Sequence, residues 1–111
     1  MGSVLSAETA AMYERAGEAT QFLKLLANQD RLMVVCALVE GEKSVRELED
    51  ALGIRQPGLS QQLAGLREAG LIQGRKEGKH IFYHLADPRA VALVSTMYRL
   101  FCAPAAEVKD E

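Results

Sequence analysis

The chain carries two thiols, Cys36 and Cys102, 66 positions apart. A thiolate is a strong nucleophile, open to oxidation and sulfur exchange, so this pair is the first candidate for chemistry. Two cysteines are too few for a disulfide-stapled secreted scaffold or a Cys-rich zinc module. Each also has a plain packing reading, because free cysteine is commonly buried as a small hydrophobe. Cys36 follows Leu32 and Met33 at helical spacing, and Cys102 follows Tyr98 and adjoins Phe101. Residue types alone leave both readings open. A thiol enzyme would need an activating group beside one cysteine, and no histidine adjoins either, so no catalytic residue and no cofactor are expected. His80 and His84 stand four residues apart in a segment that reads as a strand, on one face but about 13 Å from each other. That is too far to share an ion, and no metal site is expected.

A second set of residues points to nucleic acid. Gln56, Ser60, Gln61 and Gln62 open a short amphipathic stretch, and such side chains bond to base edges or phosphates. Arg55, Arg67, Arg75, Lys76 and Lys79 surround them in sequence and suit phosphate or minor-groove contacts, with His80 at the end of the same basic run. The formal net charge of -2 would by itself argue against a polyanionic partner. The signs are segregated, however. Residues 55–80 hold five positive and two negative side chains, whereas residues 40–50 hold five negative and two positive. The presumed reading surface is the basic part of an acidic chain.

The elements needed to position these groups are legible. At 111 residues and 49% hydrophobic, the chain suits one domain and no more. Its apolar runs are far shorter than the roughly 18 residues of a membrane span, and no signal-like apolar core opens it, so a cytoplasmic location without membrane contact is expected. Met1 to Ser6 reads as an unstructured lead. From Ala7 to Glu40 the spacing predicts helix, broken near Asn28 and stopped at Gly41. Ser44-Val45-Arg46-Glu47 is a capping box for a two-turn helix ending at Gly53. A second helix, from Gln56 to Arg67, follows a turn containing Pro57 and buries Leu59, Leu63 and Leu66. Two short helices with such a turn form a helix-turn-helix.

Past Gly70 the period becomes two, around a Glu77-Gly78-Lys79 turn, which predicts a β-hairpin wing. Asp87-Pro88 then starts a last helix through Cys102. The expected fold is mainly α with a β-hairpin wing, an α+β winged helix-turn-helix. It occupies residues 7–102, with a lead over 1–6 and a flexible tail over 103–111.

Ser44-Val45-Arg46-Glu47-Leu48, Gln56-Pro57-Gly58-Leu59-Ser60-Gln61-Gln62-Leu63, Leu66-Arg67-Glu68-Ala69-Gly70-Leu71-Ile72 and Gly78-Lys79-His80-Ile81-Phe82-Tyr83-His84-Leu85 together resemble the ArsR/SmtB family of bacterial winged-helix repressors. The resemblance covers about Phe22 to Cys102. It implies a homodimer on double-stranded operator DNA, paired through its terminal helices. Metal-sensing members carry cysteines where this chain has Ser44 and Arg46, or imidazoles where it has Arg89 and Leu100, and these residues are unsuited to zinc. The placement of Cys36 and Cys102 resembles instead the persulfide-sensing branch. That likeness implies a redox sensor whose two thiols, on meeting persulfide or polysulfide, form a disulfide or sulfur-extended bridge within one protomer and relieve repression. The readings that compete with it are a repressor of the same fold answering to general oxidants or metal ions, a thiol-dependent sulfur-transfer enzyme, and a DNA-binding module with inert cysteines.

Overall fold

The computed structural model describes residues 4–103. The expected lead at Met1 to Ser3 and the tail from residue 104 onward lie outside the described residues. Ser6, assigned to the lead by sequence, is instead the N-cap of the first helix, its hydroxyl accepting a bond from the Thr9 amide at 3.1 Å. The described residues form five helices and three strands.

Helix α1 spans Ala7–Leu26 and α2 spans Gln29–Val39. The break between them falls where expected because the Asn28 side chain accepts from the Arg31 amide at 3.0 Å and caps a fresh helix. A two-residue strand β1, Lys43–Ser44, precedes α3, Val45–Leu52. The capping box is present: Ser44 Oγ accepts from the Glu47 amide at 3.0 Å, and Glu47 Oε1 accepts from the Ser44 amide at 2.7 Å. Gly53, at φ +68, ends α3 in the left-handed conformation that favours glycine. Helix α4 is Gly58–Glu68, with Pro57 at its N-cap, so it begins two residues later than the sequence suggested.

Strands β2, Ile72–Glu77, and β3, His80–Leu85, form the hairpin, with Glu77 opposite His80 across the Gly78-Lys79 turn. The sheet order is β1-β3-β2, all antiparallel. Gly74 stands opposite Tyr83, and a Cβ there would lie 2.8 Å from the Tyr83 ring, so the close approach of ring to strand requires glycine. Helix α5, Pro88–Phe101, starts at Asp87, whose carboxylate accepts from the Arg89 amide at 2.9 Å.

The core lies between α2, α3, α4 and the sheet. Val34, Val35, Leu48, Leu59, Leu66 and Ile72 are fully buried, and each such side chain contributes about 1.5 to 3 kcal/mol relative to exposure. By contrast, Leu26 is the only buried residue of α1 and Ala90 the only one of α5. Met12, Tyr13 and Leu23 on α1 and Val91, Tyr98, Leu100 and Phe101 on α5 are exposed. The radius of gyration is 17.1 Å, against about 13 Å for a compact chain of this length. Helices α1 and α5 carry apolar faces that the other described residues do not cover.

Candidate DNA-reading face and thiol cavity

Helix α4 turns Leu59, Leu63 and Leu66 inward, which leaves Ser60, Gln61 and Arg67 exposed on its outer side. Arg55 in the preceding turn and Lys76, Lys79 and His80 at the tip of the hairpin are exposed as well. Four expected contacts, Gln56, Ser60, Gln62 and Arg75, are engaged within the chain. Gln56 Oε1 accepts from the Ser60 amide at 3.0 Å and from the Ser60 hydroxyl at 2.7 Å, supplying the cap that Pro57 lacks. Gln62 does not face outward: its Oε1 accepts from Arg31 Nε at 2.8 Å between α2 and α4. The sequence held that signal, since position 62 falls on the stripe of 59, 63 and 66.

Arg75 departs furthest from a free phosphate ligand. Its Nε and Nη2 donate to the two oxygens of Glu42 at 2.9 and 2.8 Å, and its Nη1 donates to Glu77 at 3.1 Å. The guanidinium also lies 4.8 Å from the centre of the Phe82 ring. The two carboxylates favour its charged form, and the Arg75 hydrogen bonds hold the Glu42 carboxyl below its ordinary range. The pairing of Glu42 with Arg75, 33 positions apart, had no local signal in the sequence.

The cysteines are brought together. Both line a cavity of about 840 Å³ between α2 and α5, and neither is in a disulfide. Cys36 is half-buried on α2, and Cys102 is exposed at the C-cap of α5, so the packing reading does not hold for Cys102. The packing explains the contrast: Cys36 sits beside the inward stripe of Val34, Val35 and Leu38, whereas α5 ends with Leu100 and Phe101 facing outward. Burial pushes the Cys36 thiol above its ordinary value, and negative charge on Cys102 and Glu40 pushes it further the same way.

At the other end of α5, Arg89 donates to Asp87 at 2.8 Å and to Glu18 of α1 at 3.1 Å, and lies 5.0 Å from the centre of the Phe22 ring. Hydrogen bonding to Arg89 lowers the Asp87 carboxyl from its ordinary value. Asp87 is thus a helix cap paired with a cation. Among the described residues, no group of three or more His, Cys, Asp or Glu side chains is arranged to hold a metal ion. No helix of the described residues is long and apolar enough to cross a membrane.

A helix-turn-helix with an exposed polar face on its second helix, followed by a basic-tipped hairpin, defines a winged-helix DNA-binding protein. Residues 28–73 match the family described as bacterial regulatory protein, arsR family. The chain is 54% identical over 94 residues to the biofilm growth-associated repressor of Agrobacterium fabrum, covering 85% of this chain and 80% of that protein. The crystal structure of the transcriptional repressor BigR from Xylella fastidiosa superposes with a TM-score of 0.83 at 49% identity, covering 90% of this chain and all of that one. The reduced form of HlyU from Vibrio cholerae gives a TM-score of 0.77 at 39% identity, covering 84% and 98%. The chain belongs to the arsR family of bacterial regulatory proteins and is a DNA-binding transcriptional repressor of that family.

Proposed function

We propose that the protein acts in the cytoplasm as a homodimer that holds operator DNA while Cys36 and Cys102 are reduced, and lets go when reactive sulfur species link them. The observation that carries this reading is the shared cavity: residues 66 positions apart line one space between the two helices. The uncovered apolar faces of α1 and α5 favour pairing with a second copy. A solved relative from Mycobacterium bovis is itself described as a homodimeric winged helix-turn-helix.

The chemistry balances without an added cofactor. The exposed Cys102, as thiolate, attacks the outer sulfur of a persulfide RSSH, giving Cys102 persulfide and RS⁻. The Cys36 thiolate then attacks the inner sulfur of that persulfide, forming the Cys36–Cys102 disulfide and expelling HS⁻. The two thiols are oxidised and the sulfane sulfur leaves reduced as sulfide. Where both cysteines are persulfidated first, their condensation gives a trisulfide and one H₂S. The longer bridge relaxes the requirement that the Cα atoms lie within about 7 Å.

The bridge would tie α5 to α2. Helix α2 carries Arg31, which holds Gln62 of α4 at 2.8 Å, so a constraint on α2 reaches the helix bearing Ser60 and Gln61. On DNA, Gln61 and Ser60 read base edges while Arg55, Arg67, Lys76, Lys79 and His80 meet the backbone. Gln56, Arg75 and the Ser60 hydroxyl as a donor reach DNA only by leaving their internal partners, and Gln62 serves as a strut. A tenfold to thousandfold fall in operator affinity needs only about 1.4 to 4 kcal/mol between the two states.

The test is operator release by polysulfide in Cys36→Ser and Cys102→Ser variants. Each should bind operator as the parent does and stay bound under polysulfide. Release of the double variant to the parent's extent would remove the cysteines from the mechanism.

A further inference from the structure

Arg31 stands where α1, α2 and α4 meet. Its amide is fixed in the first turn of α2 by the Asn28 side chain at 3.0 Å, and from there its guanidinium leaves the helix on a different side from the thiol. Leu32, Met33, Cys36 and Val39 line the cavity toward α5, whereas Arg31, five residues before Cys36, lies about 140° from it around α2. The Arg31 Nε donates to Gln62 Oε1 of α4 at 2.8 Å, and its Nη1 donates to the Leu25 carbonyl of α1 at 3.3 Å. We propose that Arg31 is the positioning residue that carries thiol bridging on one face of α2 to the reading helix α4 on another. The inference rests on the sulfur-dependent release proposed above and names the group through which it works.

The surroundings make this guanidinium a strut. Among the described residues, its bond to Gln62 is the one side-chain hydrogen bond between α2 and α4, and a charged donor makes such a bond roughly twice as strong as a neutral one. Leu25 is among the last four residues of α1, whose carbonyls have no partner within their own helix. Gly65 seats the other edge of the group: a Cβ there would lie 3.3 Å from Arg31 Nη2 and 3.6 Å from its Cζ. The guanidinium therefore occupies space that a side chain at position 65 would contest. Being planar, it has one orientation that serves Gln62 and Leu25 together. A hydrogen bond of this kind is lost once stretched past about 3.5 Å. A displacement of α2 approaching an ångström therefore either takes Gln62 along, and with it the helix bearing Ser60 and Gln61, or breaks the link.

The experiment compares the operator Kd of the reduced protein with that of protein fully bridged by polysulfide, the bridge verified by intact mass. In the parent the ratio of the two should be about ten to a thousand. Arg31→Met keeps an apolar stem and removes every donor. It should bridge to the parent's extent, and its ratio should fall at least about fivefold toward unity. Gln62→Met should do the same, and the two changes combined should lower the ratio no further, because both remove one bond. Gln62→Glu keeps the acceptor and should keep the parent's ratio, even if binding weakens in both states. An arginine with a purely structural role would instead weaken reduced and bridged protein alike and leave the ratio intact. A parent-like ratio in Arg31→Met, or in Gln62→Met where Arg31→Met does not fold, would overturn the inference while the sensing reading stands. A parent that bridges completely and keeps its operator affinity would sink both.

Discussion

Releasing Arg75 from Glu42 should tighten DNA binding and make it more sensitive to salt. In the free protein the Arg75 guanidinium is held by both oxygens of Glu42, at 2.8 and 2.9 Å, and by Glu77 at 3.1 Å. It is therefore a wing cation that neutralises carboxylates instead of phosphates. Glu42→Gln removes one negative charge beside the wing and the stronger of its two partners. Each additional phosphate neutralised steepens the fall of log affinity with log salt by about 0.9. Between 50 and 200 mM salt, a fourfold change, the advantage of the variant should therefore shrink by about 3.5-fold for each wing engaged. Fluorescence anisotropy with labelled operator at four or five salt concentrations measures this directly. In the same series Lys79→Ala should flatten the slope by about 0.9 per wing, and Arg75→Ala should leave it nearly unchanged. A Glu42→Gln slope equal to the parent's, or an Arg75→Ala slope as flat as that of Lys79→Ala, would refute the internal clasp as the state that meets DNA.

Three further outcomes follow from the geometry. Gln61→Ala should cost about 1 to 3 kcal/mol at one base position and relax preference there, whereas Gln62→Ala should change preference little; a base-substitution scan of the operator distinguishes them. Cys36 should be alkylated more slowly than Cys102 at neutral pH, and its rate should go on rising above the ordinary thiol range, because burial raises the pH at which it ionises; equal rates at every pH, followed by peptide mass spectrometry, would contradict this. Gly74→Ala forces a Cβ to within 2.8 Å of the Tyr83 ring, and urea unfolding should show a loss of about 1 to 3 kcal/mol.

The helices and hairpin were legible because each is signalled locally. Asn28, the Ser44 and Glu47 box, Gly53 and Asp87 act within a turn of their own position, and the inward stripe of α4 has a single period. Strand β1 was not legible: two residues cannot show an alternation, and Lys43–Ser44 are extended because β3 pairs with them. The candidate site divides along the same line. Ser60, Gln61, Arg67, Lys76 and Lys79 are exposed as their spacing implied. Gln62 bonds Arg31 from a position on the buried stripe, and Gln56 caps α4, roles that residue type alone does not announce. The partnership of Arg75 with Glu42, and the shared cavity of Cys36 and Cys102, join segments far apart in sequence, which no spacing rule reports.

The central claim is that chemistry at the two cysteines empties the operator. The most direct measurement is intact-protein mass after polysulfide treatment, taken on the same sample whose operator binding is recorded. The expected result is a single species per protomer in which two thiol protons are lost, with or without added sulfur atoms, appearing in step with the loss of binding and reversed by a thiol reductant. Full operator affinity in a sample whose protomers are completely bridged would contradict the account.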